Sequence, residues 1–267
     1  MKKIAFILLP LFFAGVIFSV WKIVCIEKTL HSADNNYNHL AEIASGTHND
    51  GRSQSENGSM EDQDQGAQDI TSESVSQIEI DFAALQEYNP DIIAWIRIPG
   101  TVIDYPVLQG PDNNKYLRHT PDGEYNIAGS IFLEFSNSPD FSDNHSIIYG
   151  HHFRGSYRPM FTQLVDYKSR DFFDSHPTAE LFTPAGKYII RFFSCYVTKL
   201  GDNAWRTQLE GAAFSDWIGI VSSKALYNTG VLPTENDRVV TLSTCSTEYE
   251  NARFVIHGIL EKTDIDT

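Results

Sequence analysis

The stretch Val239–His257, VVTLSTCSTEYENARFVIH, restricts the fold more than any other part of the chain. Two runs of alternating side chains flank a wide polar loop, the pattern of two neighbouring strands. Val239, Thr241, Ser243 and Cys245 share one face of the first run, and Val240, Leu242 and Thr244 share the other. In the second run Ala252, Phe254 and Ile256 oppose Arg253, Val255 and His257. If Cys245 pairs across the hairpin with Arg253, thiol and guanidinium stand on one face. A thiol beside a cation suits a nucleophile with a charge-stabilising partner. A buried apolar cysteine and a surface arginine fit these residues equally well.

Upstream, Ile78–Thr267 is long enough to build one sizeable core. A short amphipathic helix through Ile80, Leu85 and Tyr88 stops at Pro90. Strands are predicted over Ile92–Ile98, Val102–Leu108, Gly129–Phe135 and His145–Tyr149, with Pro106 favouring an edge or a bulge. Two short helices, Met160–Tyr167 and Ser169–Ser175, follow on a connection. A hairpin, Ala179–Phe182 with Lys187–Val197, turns at Pro184-Ala185-Gly186. Gln208–Val221 carries the clearest helical stripe. Seven or eight strands with a few inserted helices point to a mostly β, antiparallel-rich closed barrel. A strict βαβ alternation and a Gly-rich phosphate loop are both absent, which disfavours a doubly wound nucleotide-binding sheet.

The amino-terminal part differs in composition. Ile4–Val20 is nearly all apolar and runs on to Ile26, with Lys2 and Lys3 before it. Such a run can span a hydrocarbon core, and no small-residue cleavage site follows it. Residues 1–30 are therefore expected to be an uncleaved signal anchor. That makes the chain a single-pass membrane protein, amino terminus in the cytoplasm and the rest outside. Residues 31–77 are expected to be a disordered stalk. Between Asp50 and Gln77, seven acids stand against Arg52 alone, with Gly, Ser, Asn and Gln between them. Tyr37–Ile43 is a short helix candidate within the stalk. Residues 78–267 are then the folded domain. The net charge of −15 over 267 residues argues against a nucleic-acid partner, since no basic footprint offsets it.

The residues able to carry chemistry are few. Cys195 lies in Phe192–Val197, an apolar strand bound for the core, so a disulfide to Cys245 is disfavoured even outside the cell. His151 and His152 follow Ile147-Ile148-Tyr149-Gly150, where Gly150 permits a tight turn. A histidine there could move protons for a thiol only if the fold brings them together. Zinc on Cys245 with His151, His152 or His257 is a rival, but no short ligand spacing couples them. Glu248, Asp237 or Asp202 could orient the histidine, and no motif selects among them. Asn113 and Asn114 could hold a peptide backbone or simply make a turn.

Taken together, Thr241-Leu-Ser-Thr-Cys245 with Arg253, and Ile147-Ile-Tyr-Gly-His151, resemble the class B sortases, membrane-anchored cysteine transpeptidases of Gram-positive bacteria. Ile103-Asp-Tyr-Pro-Val-Leu-Gln109, Asn113-Asn-Lys-Tyr-Leu117 and Gly129-Ser-Ile-Phe132 are similar too, so the likeness spans nearly all of Ile78–Glu261. The resemblance implies an eight-stranded sortase-type β-barrel with an amino-terminal helical extension and a long helix before the seventh strand. It implies Cys245 as nucleophile, His151 as acid/base and Arg253 as the transition-state cation, with no metal or cofactor. It implies substrate-binding positions at Asn113, Leu117, Tyr149, Trp205 and Ser243. Two departures stand out: Ala204-Trp205 replaces the Tyr-Ile of some members, and Ser246 replaces an acid that some carry after the cysteine. The implied reaction cuts a proline- and threonine-containing sorting signal of a secreted protein and joins it to a peptidoglycan cross-bridge or pilin amine. Two other readings are a secreted cysteine endopeptidase acting by hydrolysis and a non-catalytic surface binding domain.

Overall fold

The computed structural model describes residues 2–46, 79–155 and 157–263, with the side chains of the first helix from Gly15 onward. The α-helices are α1 (Lys2–Ala44), α2 (Phe82–Tyr88), α3 (Arg170–Ser175) and α4 (Gly211–Ser223), and 3-10 helices span Met160–Lys168 and Asn203–Trp205. The strands are β1 (Ile92–Arg97), β2 (Asp104–Leu108), β3 (Ile131–Leu133), β4 (His145–Tyr149), β5 (Thr178–Thr183), β6 (Gly186–Lys199), β7 (Val239–Cys245) and β8 (Ala252–Lys262). They close into a barrel in the order β1-β2-β3-β4-β7-β8-β6-β5. The expected eight-stranded barrel is therefore present. Two of its pairings, β2 with β3 and β4 with β7, are parallel, and the others are antiparallel.

The alternation in the sequence becomes two faces of one wall. Val240, Leu242, Phe254 and Ile256 point into the barrel with Ile148, Ile190 and Phe192. Val239, Val255 and Ile259 point outward and pack against Phe214, Trp217, Ile218 and Val221 of α4. Pro106 sits in a closed sheet rather than at an edge, opposite Trp95. It is tolerated because β3 pairs only with Val107 and Leu108, so no neighbour on that side asks Pro106 for an N–H. The bulge lies in β1 instead, between Ile92 and Ala94. Helix α4 begins at Gly211 rather than at Gln208, because Gln208 and Gly211 both take positive φ and Glu210 is extended. Leu209 is still buried, beneath the helix rather than on it.

The amino-terminal expectations need correction. Among the described residues no helix is long and apolar enough to cross a membrane, so the expected single-pass anchor and the membrane-anchored, extracellular placement built on it do not stand. From Gly15 onward Lys22, Glu27 and Lys28 interrupt the apolar residues, and charged groups inside a bilayer are costly without partners. The stretch expected to start a disordered stalk at residue 31 continues as the last turns of α1, and Tyr37–Ile43 belongs to it. Ala33 and Tyr37 join the barrel core, while Leu40, Ile43 and Ala44 join a cluster with Leu85, Trp95, Leu108 and Phe132. The Tyr37 hydroxyl donates to the Gly129 carbonyl at 2.5 Å, and Asn126 Nδ2 to the Thr29 carbonyl at 2.7 Å. The acidic stretch Asp50–Gln77 lies outside the described residues.

A polar seam runs beneath α4. His145, Thr241 and His257 are buried on the outer face of β4, β7 and β8. Burial pulls His145 down to about 4, against the opposing pull of the Arg206 carbonyl and Asp143. Burial, then the proximity of His145 and Lys224, pulls His257 well below the usual imidazole range. Both rings are neutral in the fold, whereas in the unfolded chain they take up protons below about pH 6.5. Stability is therefore full above that value and falls as the pH drops toward 4, by about 3 kcal/mol for His145 alone. The urea midpoint should be flat from about pH 8 to 7 and decline below about pH 6.5. A midpoint unchanged down to about pH 4.5 would contradict the neutral pair.

Cys195 also faces inward, with its thiol near the Tyr167 carbonyl (3.4 Å) and the Tyr227 hydroxyl (3.3 Å). Burial pushes that thiol up to about 11. All three cysteines are free, and Cys245 lies on the opposite face of the wall from Cys195. Cys195→Ala should lower stability by about 1–2 kcal/mol in denaturant titration, through lost burial and a small void. A thiol reagent should label Cys245 but leave Cys195 untouched until the protein unfolds.

Candidate active site

Strand register assembles the site. Strands β4 and β7 run parallel, with Tyr149 opposite Ser243. His151 and Cys245 each lie two residues beyond that pair, so both emerge at the same end of the barrel. The antiparallel partner β8 sets Arg253 directly across from Cys245. The hairpin register expected from the sequence is thus the one observed. A cavity of about 500 Å³ opens over this end. Its lining includes His151, Cys245 and Arg253, together with Asn113, Leu117, Tyr149, Trp205 and Ser243. Cys245 and Arg253 are both half-buried, open to a substrate yet shielded on their barrel side.

Gly150 holds His151 in place for a reason other than the one expected. Its backbone is not left-handed; a Cβ there would lie 2.5 Å from Ile131 Cδ1 and 2.7 Å from the Phe161 ring. Only glycine lets the chain pass that close, while its N–H donates to the Ser243 carbonyl at 3.1 Å. The imidazole is oriented by a backbone carbonyl. His151 Nε2 lies 2.7 Å from the Leu117 oxygen. A carbonyl only accepts, so Nε2 carries the proton and Nδ1 is the basic nitrogen of the neutral ring. The Leu117 carbonyl is itself set by Gly129, where a Cβ would lie 2.7 Å from that oxygen. None of the three carboxylates considered from sequence is bonded to His151. Asp202 pairs with Lys224 at 2.6 Å, Asp237 accepts from Thr234, and Glu248 pairs with Lys168.

His152 is absent from the cavity lining and sits toward Lys168, Arg158, Arg154 and Glu248. His257 is buried against Thr241 and Tyr196, away from Cys245, which removes it from the zinc alternative. Among the described residues no three His, Cys, Asp or Glu side chains cluster as metal ligands. Asn114 is a turn residue whose N–H is held by Asp112 at 2.8 Å. Ser246, the position after the cysteine, accepts a hydrogen bond from Lys168 Nζ at 3.1 Å.

Four contributors escaped sequence reasoning, Glu134 first among them. Glu134 is buried and receives the Asn113 amide (2.7 Å) and the Tyr149 hydroxyl (2.8 Å) on the same oxygen. The Asn113 oxygen accepts the Phe135 N–H at 3.0 Å, which fixes the amide's orientation and leaves one of its N–H groups free. No motif marks Glu134; it follows the short strand Ile131–Leu133, and only the fold places it behind two lining residues. Arg206, Leu200 and Phe132 line the cavity and were not anticipated either.

The His151 ring is held below its ordinary pKa, chiefly by burial and further by Arg118, with the Leu117 carbonyl opposing. Its imidazole should titrate below about 6.5 by NMR. Arg118→Ala should raise that midpoint without carrying it above the unfolded value, because burial remains. A midpoint unmoved by the substitution would mean that Arg118 does not act on the ring.

The sortase domain model matches residues 96–261. Sortase B of Listeria monocytogenes is 38% identical over 179 residues, covering 66% of this chain and 72% of that protein. Sortase B of Staphylococcus aureus is 37% identical over 169 residues, covering 63% of this chain and 68% of that protein. The structure of a Staphylococcus aureus sortase B–substrate complex superposes with a TM-score of 0.64 at 35% identity, covering 68% of this chain and 85% of that one. A fold, a cysteine beside an arginine and a histidine on the same cavity agree with these likenesses. The chain therefore belongs to the class B sortases, cysteine transpeptidases that act on sorting-signal substrates.

Proposed function

We propose that Cys245 is the nucleophile, His151 the proton carrier and Arg253 the stabilising cation of this transpeptidase. The observation that carries the reading is the pairing of Cys245 with Arg253 at the mouth of a cavity that His151 also lines. The substrate is a secreted protein bearing a proline- and threonine-containing sorting signal, of the NPxTN or xPxTG kind. The acceptor is an amine of a peptidoglycan cross-bridge or a pilin.

The steps follow from the chemistry of these groups. Burial keeps the His151 ring neutral near pH 7, so it can take the Cys245 thiol proton. The thiolate then attacks the carbonyl carbon of the signal's threonine, forming a C–S bond and an oxyanion. The Arg253 guanidinium, with a backbone N–H, stabilises that charge where it develops. The C–N bond breaks, and the imidazolium of His151 gives its proton to the departing amine. A thioacyl-enzyme remains. The acceptor amine attacks it and passes a proton to His151, and the C–S bond breaks to a thiolate that takes that proton back from the imidazolium, returning the thiol. Asn113, Leu117, Tyr149, Trp205 and Ser243 hold the signal peptide along the cavity wall. The Trp205 indole N–H is already committed to the Ser243 hydroxyl at 3.1 Å, so this wall offers the substrate an aromatic face rather than a free donor.

Incubation with a sorting peptide, with and without an amine acceptor, followed by intact-mass measurement, tests the assignment. Wild type should show a thioacyl adduct that the amine discharges into an amide product. Cys245→Ala should show no adduct. His151→Ala should lose turnover while retaining an alkylatable thiol, and His152→Ala should lose far less. Arg253→Lys keeps the charge but not the planar fork, and should slow the reaction by roughly 100- to 1000-fold. Adduct in Cys245→Ala, or equal losses for His151→Ala and His152→Ala, would put the site elsewhere. Products that are wholly hydrolytic in the presence of amine would favour an endopeptidase.

A further inference from the structure

The seam beneath α4 is a directed chain of hydrogen bonds. His145 Nδ1 lies 2.6 Å from the Arg206 carbonyl, and His145 Nε2 lies 2.6 Å from Thr241 Oγ1. Thr241 Oγ1 is also 2.7 Å from His257 Nδ1, and His257 Nε2 is 3.1 Å from the Tyr196 hydroxyl. One end fixes every proton. A carbonyl cannot donate, so His145 carries its proton on Nδ1 and its Nε2 accepts from the Thr241 hydroxyl. The Thr241 oxygen then accepts from His257 Nδ1–H, and His257 Nε2 accepts from the Tyr196 hydroxyl. All four side chains are buried, and burial keeps both imidazoles neutral, as this arrangement requires. The His145 ring is also packed on Trp217, with centroids 4.1 Å apart.

The carbonyl at the end of this chain belongs to the cavity wall. Trp205 and Arg206 line the cavity from the β6–α4 connection. Their neighbours are pinned as well: Trp217 Nε1 donates to the Asn203 carbonyl at 2.8 Å, and Asn144 Nδ2 to the Leu209 carbonyl at 3.1 Å. Of these anchors, His145 holds the carbonyl of Arg206, the residue next to Trp205. Thr241, Ser243 and Cys245 share one face of β7, so the same strand carries the chain's middle link, the Trp205 partner and the thiol.

We infer that Tyr196, His257, Thr241 and His145 are positioning residues that hold the Trp205–Arg206 wall in register with β7, and thereby set peptide affinity rather than the rate of thioacylation. The affinity part rests on the reading of this cavity as the peptide groove; the positioning part does not.

The test has readouts for each part. In the full-length protein, imidazole nitrogen NMR should find both His145 and His257 as the Nδ1–H tautomer; an Nε2–H proton on either would overturn the chain. Thr241→Val removes the hydroxyl at nearly constant volume. It should raise amide hydrogen exchange across residues 203–209 by roughly tenfold, the scale of one lost hydrogen bond. Thr241→Ser should restore it. With a sorting peptide, Thr241→Val should raise KM by roughly tenfold while kcat stays within about threefold, and Thr241→Ser should return KM toward wild type. Unchanged exchange in Thr241→Val, or identical effects of Val and Ser, would refute the positioning role. Changed exchange with a fall in kcat at constant KM would refute the link to affinity. A wild type that does not process the peptide would count against the functional reading, while exchange and tautomers still decide the positioning. If Thr241→Val does not fold, Tyr196→Phe, which removes only the last donor, should raise the same exchange by a smaller factor, and no rise would refute the chain.

Discussion

The parallel pairing of β4 with β7 is the constraint on which the site depends. Two parallel strands in register end at the same edge of a sheet, so residues just beyond them meet regardless of their distance in sequence. Tyr149 faces Ser243, and His151 and Cys245 follow each by the same two steps. A slip of one residue would turn every side chain of β7 to the other face, sending Cys245 into the barrel and Leu242 out of it. The slip is prevented by what the two faces bury. Val240 and Leu242 fill the interior, while Val239 packs under α4. The register that sets His151 beside the Cys245 strand end and the packing of the core are thus the same specification.

The outer face of β7 is polar where an apolar face would have sufficed for packing. Thr241 and Ser243 commit their hydroxyls to His145, His257 and Trp205. Such groups stabilise only when every partner is present, since one unpaired buried atom costs about 1–3 kcal/mol. That all-or-none property suits a wall that must keep one position. It also explains why α4 begins where it does: Trp217 must lie over His145, and the positive φ values at Gln208 and Gly211 turn the chain into that place.

Helix α1 follows the same logic on the other side of the barrel. Its later turns bury Tyr37, Leu40 and Ile43 against the wall that carries Phe132 and Leu108. Tyr37 bonds the Gly129 carbonyl, and Gly129 packs against the Leu117 carbonyl that orients His151. The amino-terminal helix is therefore continuous, through packed backbone, with the loop that aims the imidazole.

Much of the molecule is legible in the amino-acid sequence. Alternation in Val239–His257 determines the faces of the last hairpin, because side-chain direction in a strand has a fixed period of two. Alternation puts Cys245 and Arg253 on one face only in the register that pairs them, which the folded hairpin supplies, and the residue patterns around Gly150 and Cys245 mark the resemblance that the fold confirms. The extent of α1 is not legible. A polar stretch after an apolar run looks like a linker until the barrel supplies the surface on which Tyr37 and Leu40 bury. Nor can sequence choose the partner of His151: three carboxylates are available, and a backbone carbonyl, which every residue possesses, takes the role. Glu134 and the His145–Thr241–His257 chain are hidden for the same reason. Local pattern determines which way a side chain points from its own strand. Which groups meet in front of it is decided by register, barrel closure and the helix laid across the wall, and those are properties of the tertiary structure alone.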